Sequence, residues 1–203
     1  MKLKYLILVI LALFNTDDLF SQCSDTINFG DNRWIVKAYD ARKVNQISST
    51  NYKGFYTQKL DNSGNYGVNT TLQWPSTTTG KPSVAAAFNS TNGTGTVYRG
   101  CSIPSQYFSY VHSRKGFPAG QYEVYVDAWD DSTVLYLDGQ LIVNLSQYGS
   151  NSYALRCISL NQNSTLEIRT DNSGGGVSQL RMRIIPVTLN VRTNDDFIVC
   201  RGD

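Results

Sequence analysis

The chain has 203 residues, with 18 Lys and Arg, 16 Asp and Glu, and one His, which gives a formal net charge of +2. Charged residues make up 17% of the chain, against roughly 25% in an average soluble protein, and aromatic residues make up 12%. This composition excludes a disordered chain, a strongly basic nucleic-acid-binding domain and a His-rich zinc site. The many Tyr, Val, Thr, Ser, Asn and Gly residues are typical of short strands joined by turns.

The N-terminus has the features of a signal peptide. Lys2 and Lys4 precede an apolar run over residues 5–14 that is too short to span a bilayer. We therefore expect residues 1–22 to be removed and the mature chain to be secreted or held at the cell surface. A lipoprotein with its lipid on Cys23 is the alternative. No other stretch is apolar over the length needed for a membrane span, so we expect none in the mature chain.

Export places the four cysteines in an oxidising compartment. None of their spacings resembles a zinc-binding or redox pair, and four cysteines allow three connectivities. We predict Cys23–Cys200, which ties the two ends of the mature chain, and Cys101–Cys157. A lipid on Cys23 would exclude the first pair.

Strands dominate the first half of the mature chain. The pattern predicts strands at residues 34–39 and 54–57, then a loop-rich segment at about 61–100 that contains proline, glycine and an Asn-Gly turn. A further strand is expected at residues 107–112, with His112 on the same face as Phe108. We interpret His112 as a structural residue.

The second half carries stronger strand signals. Over residues 121–128 every second side chain is apolar, which predicts one buried face and places Trp129 on the opposite face. Residues 134–143 form a predicted hairpin around Asp138-Gly139, because this dipeptide suits a two-residue type I′ turn.

Two later segments complete the predicted strand set. Residues 165–169 are expected to pair with residues 179–184 across a polar, Gly-rich loop at 171–176. Many short strands with turn signals predict an all-β protein, here an antiparallel β-sandwich of jelly-roll type that forms a single domain over residues 23–203. Whether this domain belongs to a longer, multidomain protein stays open.

Residues 113–186 resemble the second half of a PA14-type β-sandwich. The resemblance rests on Gly120-Gln121-Tyr122, a strand, the pair Asp130-Asp131, and then Leu135-Tyr136-Leu137-Asp138-Gly139. The chain departs from the pattern at Ser132, where many PA14 domains have glycine. The first half is similar only loosely.

The resemblance implies a function and a site. PA14-type modules occur as lectins, as accessory domains of glycosidases, and in adhesins and toxins. In the lectin members the adjacent Asp pair holds calcium, and an Asn from a second loop completes the site. The matching positions here are Asp130 and Asp131, with Asn172 as the second-loop ligand and Asp171 as its rival.

Calcium chemistry is compatible with these residue types. Ca²⁺ takes six to eight oxygen ligands, and a bound ion can also coordinate two neighbouring sugar hydroxyls. Trp74 and Tyr148, both in predicted loops, are candidates for an aromatic platform under the sugar ring. In the competing interpretation, the Asp pair caps a turn through local hydrogen bonds and the two aromatic residues pack structurally.

These observations predict an extracellular, lectin-like module that binds a glycan or polysaccharide with the help of Ca²⁺. The alternative is a structural or adhesive spacer of a cell-surface protein that binds no small ligand. We expect no enzymatic activity, because Glu123 and Glu167 sit in regular strands and nothing marks them as a catalytic pair. Nucleic acid is not an expected partner, whereas further domains or cell-surface components are.

Overall fold

A computed structural model describes residues 29–58, 66–72, 98–101, 106–150, 152–174 and 178–187. The strands of this part of the chain, in order, are β1 (Gly30–Asp31), β2 (Trp34–Tyr39), β3 (Tyr52–Gln58), β4 (Val68–Leu72), β5 (Arg99–Gly100), β6 (Phe108–Lys115), β7 (Gly120–Asp130), β8 (Thr133–Leu137), β9 (Gln140–Leu145), β10 (Tyr153–Leu160), β11 (Leu166–Asn172) and β12 (Ser178–Pro186). Two short 3-10 turns, Val44–Gln46 and Ser49–Asn51, lie between β2 and β3.

The strands form two sheets. The larger sheet has the order β5-β3-β2-β6-β11-β8-β9, with β1 paired in parallel to β6, and the smaller sheet has the order β10-β7-β12-β4. All the other strand pairs are antiparallel. The expected all-β sandwich is therefore confirmed.

The core lies between the two sheets. Its buried residues include Trp34 and Tyr110 from the larger sheet, and Tyr122, Val124 and Met182 from the smaller sheet. In the smaller sheet these side chains alternate along β7 and β12 with more exposed ones, because successive residues of a strand point to opposite faces, whereas nearly all of β6 is buried on both faces. Hydrophobic burial from both sheets therefore holds the sandwich together.

The strands predicted in the first half are present. Residues 34–39 form β2, residues 54–57 lie inside β3, and β6 covers most of the strand expected at 107–112. The Asp138-Gly139 hairpin is also confirmed, since it joins β8 to β9 and both turn residues have positive φ angles of 49° and 80°.

Trp129 faces the core, which corrects the prediction from simple alternation. Asp127 is an extra residue in β7, because Val126 pairs with Met182 and Ala128 pairs with Arg181. This bulge shifts the alternation by one residue. Trp129 therefore pairs with buried Leu180, is only 8% exposed and belongs to the core, whereas Ala128 shares the face of exposed Arg181.

The predicted pairing of residues 165–169 with 179–184 is wrong. β11 lies between β6 and β8 in the larger sheet, whereas β12 lies between β7 and β4 in the smaller one. Strands that follow each other in sequence often pair, but here both edges of each strand are occupied by strands distant in sequence. The chain therefore passes from one sheet to the other after Asn172.

The segment at about 61–100 contains a strand that the sequence analysis does not predict. β4 pairs with β12, so that Val68 lies opposite Met182 and Leu72 lies opposite Ser178. Gly67 precedes β4, and a Cβ there would lie 2.0 Å from the carbonyl oxygen of Met182, so the close approach of the two backbones requires glycine.

Several predictions fall outside the described residues, including the signal peptide, Cys23, Cys200 and Trp74. Cys101 follows β5 and Cys157 lies in β10, each on an edge strand of a different sheet, and neither is a free thiol. The pairings Cys23–Cys200 and Cys101–Cys157 stay predictions. In the part of the chain that the structure describes, no helix is long and apolar enough to cross a membrane.

Candidate functional site

Three strand ends meet at one end of the sandwich. β7 ends at Asp130, β11 ends at Asn172, and β12 begins at Ser178. Hydrogen bonds tie these ends together, since the Asp131 backbone N–H donates to the Asp171 carbonyl oxygen (2.6 Å) and the Ser178 hydroxyl donates to the Asp130 carbonyl oxygen. The structure thus brings Asp130, Asp131, Asp171 and Asn172 to the same end of the sandwich.

The Asp130-Asp131 peptide bond is cis, and the two carboxyl groups share a hydrogen bond. Burial and the neighbouring Asp131 carboxylate together raise the pKa of Asp130 to about 6. None of the ion pairs in the described residues involves Asp130 or Asp131. Among the described residues, the two carboxyl groups therefore face each other without a cation to balance them.

Asp131 also anchors the Gly-rich loop. Its Oδ2 accepts hydrogen bonds from the Ser173 N–H (2.6 Å), the Ser173 hydroxyl (2.9 Å) and the Gly174 N–H (2.9 Å). Burial alone would raise the pKa of Asp131, but the hydrogen bonds from Asp130, Ser173 and Gly174 outweigh burial, and the pKa is lowered. Asp131 is therefore the more readily ionised member of the pair.

Asp171 has a different environment. It is completely buried, and its Oδ2 accepts hydrogen bonds from the Val44 N–H (3.0 Å) and the Ser132 hydroxyl (2.8 Å). Its Oδ1 accepts a weaker hydrogen bond from the Ser132 N–H (3.3 Å). These contacts occupy both carboxylate oxygens and connect the Val44–Gln46 turn to the strand ends. The geometry thus gives Asp171 a positioning role at the strand ends.

Ser132 is a residue whose role the sequence alone does not reveal. It stands where the PA14 pattern has glycine, and it donates through both its hydroxyl and its N–H to Asp171. The two groups bind different oxygens of one buried carboxylate, and a glycine at this position would lack the hydroxyl donor. Nothing in the local sequence connects Ser132 with a position 39 residues away.

Asn172 occupies the end of β11. It pairs with Phe108 of β6, is 2% exposed and follows Asp171, whose side chain alternates to the opposite face of the strand. The same strand end thus points one polar side chain toward each face of the larger sheet.

Of the two predicted aromatic platform residues, only Tyr148 is described. Tyr148 is 64% exposed and precedes Gly149, which forms a β-bridge with Trp129, the residue before Asp130. The Trp129 indole N–H donates to the Gln147 carbonyl oxygen and thereby holds this segment against the end of β7. An exposed aromatic ring therefore lies on the segment that adjoins the Asp pair. Trp74 lies outside the described residues, although β4 ends at Leu72, opposite Ser178.

The donor set at this end is made of oxygen atoms. Within the described ranges, no three His, Cys, Asp or Glu side chains come together as a metal-binding group. Asp130, Asp131 and Asn172 instead offer two carboxylates and one amide, which are ligand types of a hard cation such as Ca²⁺. The unbalanced Asp pair fits such a cation, because a divalent ion would remove the like-charge repulsion between the two carboxylates.

The two glutamates considered as a catalytic pair, Glu123 and Glu167, lie on different sheets. Glu123 lies in β7 of the smaller sheet and its carboxylate accepts a hydrogen bond from the Tyr125 hydroxyl, whereas Glu167 lies in β11 of the larger sheet and is bound to Arg169. Each of the two carboxylates therefore has its own protein partner.

No protein-family model matches the sequence, and no curated protein matches it. Among solved structures, the fold is similar to a PA14 sugar-binding domain from an RTX adhesin, with 16% identity, a TM-score of 0.50, and coverage of 77% of this chain and 91% of that one. The PA14 domain of the MpAFP antifreeze protein aligns at 12% identity over 79% of this chain and 84% of that one, with a TM-score of 0.42. A β-glucosidase from Kluyveromyces marxianus aligns over 76% of this chain but only 16% of its own length, at 12% identity and a TM-score of 0.38. The protein therefore has a PA14-like, all-β sandwich fold.

Proposed function

We propose that this protein is an extracellular carbohydrate-binding module that holds a sugar through a calcium ion at Asp130, Asp131 and Asn172. The observation that carries the proposal is the contact between two adjacent carboxyl groups at the end of β7, with no cationic partner among the described residues. Structural carboxylates elsewhere in the protein, such as Asp127 and Glu167, are paired with arginine.

The fold adds support to this interpretation. One structure of similar fold is a sugar-binding domain of an adhesin, and its alignment covers nearly all of that domain. The Asp pair stands at a strand end, next to a loop held by Asp131 and beside the segment that carries exposed Tyr148. A sugar bound there would meet both an oxygen-ligated cation and an aromatic face.

Each part of the site would have a separate task. Asp130 and Asp131 would supply negative charge to the ion, and Asn172 a neutral oxygen. Ser173 and Gly174 would fix the orientation of Asp131 through their hydrogen bonds. Calcium would supply two further coordination positions to neighbouring sugar hydroxyls.

The first test is direct calcium binding. Isothermal titration calorimetry with CaCl₂ should give one site in the wild-type protein. Asp130→Asn should weaken that affinity at least tenfold, since it removes a charged ligand while keeping the loop contacts of Asp131. Asp40→Asn, which changes an exposed carboxylate paired only with Lys53 at 3.6 Å, is the matched control and should bind calcium normally.

The second test is glycan recognition. Binding to a glycan array should be lost in EGTA, return when calcium is added, and be absent in Asp130→Asn but present in Asp40→Asn. A folded wild-type protein that binds neither calcium nor any glycan would instead identify a structural or adhesive spacer.

A further inference from the structure

A second surface lies on the outer face of the larger sheet, beneath the Val44–Gln46 turn. It contains two cavities of about 130 and 490 Å³, and Arg169 of β11 lines both of them. The larger cavity reaches Ser132 and Asp171, the residues that adjoin Asp131 and Asn172 in sequence. The two cavities therefore form one groove centred on Arg169, on the side of β11 opposite Asn172.

Arg169 has a fixed orientation, but some of its hydrogen-bond donors are not used by the described residues. Its Nε donates to Glu167 Oε1 (2.6 Å), and its guanidinium carbon stacks 4.9 Å from the centre of the Tyr136 ring. Within the described residues, neither of its terminal nitrogens donates to a protein acceptor. A guanidinium with a fixed plane and two unused terminal nitrogens is well suited to binding a carboxylate or a sulfate through two parallel hydrogen bonds.

The charges around the groove favour an anion. Lys37 lines the smaller cavity and Lys43 lines the larger one, and neither forms an ion pair in the described part of the chain. The acidic side chains of the groove are already engaged, since Glu167 binds Arg169 and buried Asp171 binds Ser132 and Val44. The charged side chains of the groove that have no ion-pair partner among the described residues, Lys37 and Lys43, are thus positive.

The remaining lining is suited to a sugar rather than to a purely apolar ligand. Asn45, Asn144 and Ser146 offer amide and hydroxyl groups that both donate and accept hydrogen bonds, as sugar hydroxyls require. Tyr136 and the half-exposed Leu141 supply apolar surface against which the face of a sugar ring can pack. The groove combines these polar and apolar groups with one positioned cation.

We propose that this groove binds an acidic oligosaccharide, in which the carboxylate of a uronic-acid residue is bound by the terminal nitrogens of Arg169. The proposal rests on the proposed carbohydrate-binding function but uses residues on the other side of β11 from the Asp130-Asp131 pair. The groove does not require calcium, because its charged contact is made by arginine.

The test measures binding of trigalacturonate and of its neutral counterpart galactotriose by calorimetry in EDTA. We expect trigalacturonate to bind at least tenfold more tightly than galactotriose and to weaken as NaCl is raised. Arg169→Gln should reduce its affinity at least tenfold. Arg181→Gln, which removes an exposed arginine of the smaller sheet, is the matched control and should leave the affinity unchanged.

Two additional variants test whether trigalacturonate binding depends on the groove itself. Lys43→Gln changes an exposed residue next to the Val44–Gln46 turn, so it should weaken trigalacturonate binding about threefold without affecting the sheet. Asp40→Asn, at an exposed carboxylate that does not line the groove, should leave binding in EDTA unchanged. If calcium and array binding fail while trigalacturonate still binds through Arg169, the proposed function is wrong and the groove proposal stands.

The groove proposal is overturned by equal binding of trigalacturonate to the wild type and to folded Arg169→Gln. It is also overturned if the wild type binds a tetra-aspartate peptide as tightly as trigalacturonate, because that result would assign the groove to acidic peptides. Absence of trigalacturonate binding to the wild type, with calcium-dependent array binding intact, overturns it as well.

Discussion

The charged side chains at the two ends of the β6–β11 strand pair have opposite kinds of surroundings. At one end Arg114 is fully buried, donates to the Tyr66 and Gly116 carbonyl oxygens, and stacks 4.3 Å from the centre of the Phe117 ring. At the other end, two partly exposed carboxyl groups meet each other, and no described cationic side chain pairs with them. The register places Arg114 opposite Leu166 and Asn172 opposite Phe108, so the two environments are six residues apart on β11.

The charge of Arg114 is stabilised inside the protein, whereas the Asp pair is proposed to bind an external cation. Carbonyl dipoles and aromatic faces stabilise the Arg114 guanidinium internally, although burial still lowers its pKa to about 10. The Asp pair has no such partner among the described residues, and under the proposed function it gains stability from a bound cation. Mutations at the Arg114 end should therefore affect folding, whereas mutations at the Asp130 end should affect binding.

The largest effect is expected from Arg114→Ala. This variant removes a side chain packed against Tyr66 and Phe117 and leaves a cavity, so the free energy of unfolding should fall by about 3 kcal/mol. Urea unfolding followed by tryptophan fluorescence measures the change. Arg33→Ala, at an exposed position, should unfold at the same urea concentration as the wild type. Equal destabilisation of both variants would contradict the internal role of Arg114.

The next largest effect tests packing beside the Asp pair. A Cβ at Gly149 would lie 2.1 Å from the Trp129 ring, so Gly149→Ala must displace the indole or the segment that carries Tyr148. We expect a loss of about 2 kcal/mol of stability and weaker glycan binding. Gly120→Ala is the control, because its Cβ would meet only the Tyr122 ring at 3.8 Å. A Gly149→Ala protein as stable as Gly120→Ala would argue against the close Trp129–Gly149 packing.

Between the two ends, His112 provides a pH test. It is fully buried between Trp34 and Tyr110, and burial lowers its pKa to about 3. The unfolded chain takes up a proton near pH 6.5 and the folded protein does not, so this contribution to stability is complete above pH 6.5 and is lost as pH falls towards 3.

Below about pH 6, the free energy of unfolding should fall by about 1.4 kcal/mol for each unit by which the pH is lowered. Urea unfolding at pH 7, 6, 5 and 4 measures it, with His112→Gln as the comparison protein. If the wild type and His112→Gln lose stability in parallel over this range, His112 is not the residue responsible.

The smallest effect is expected at the Asp pair in calcium-free protein. Because burial and the neighbouring Asp131 disfavour the ionisation of Asp130, Asp130→Asn should stabilise the calcium-free fold at pH 7.5 by under about 1 kcal/mol, the scale of a partly exposed charge pair. With saturating calcium the order should reverse, since only the wild type gains the full binding energy. Thermal unfolding in EGTA and in CaCl₂ measures both differences, and a variant less stable than the wild type in EGTA would contradict unbalanced repulsion.

The alternation of residues 121–128 and the Asp138-Gly139 turn were sufficient to predict β7 and the β8–β9 hairpin, because both depend on interactions between residues close in sequence. The same reasoning failed for Trp129, since the bulge at Asp127 appears only when β7 pairs with β12. It also failed for β4, whose partner lies more than 100 residues later in the chain.

The candidate site also combines features that the sequence predicts with features that only the fold shows. The sequence identified Asp130, Asp131 and Asn172 through a pattern that resembles a family, but it could not tell Asp171 from Asn172. Only the strand register shows that these neighbours point to opposite faces of the sheet, so that Asp171 meets Ser132 and Val44 while Asn172 does not. The groove around Arg169 has no local sequence signal, since its lining comes from separate strands and a turn.

Composition and short-range pattern by themselves determined that this chain is an all-β protein with few groups for acid–base chemistry. Those properties follow from residue types and from the two-residue period of a strand. The assignment of strands to sheets, the core position of Trp129, and the different environments of Asp130, Asp131 and Asp171 were decided by tertiary structure. The physical reason is that hydrogen-bond partners, burial and the balance of charge depend on residues that the fold brings together from distant parts of the chain.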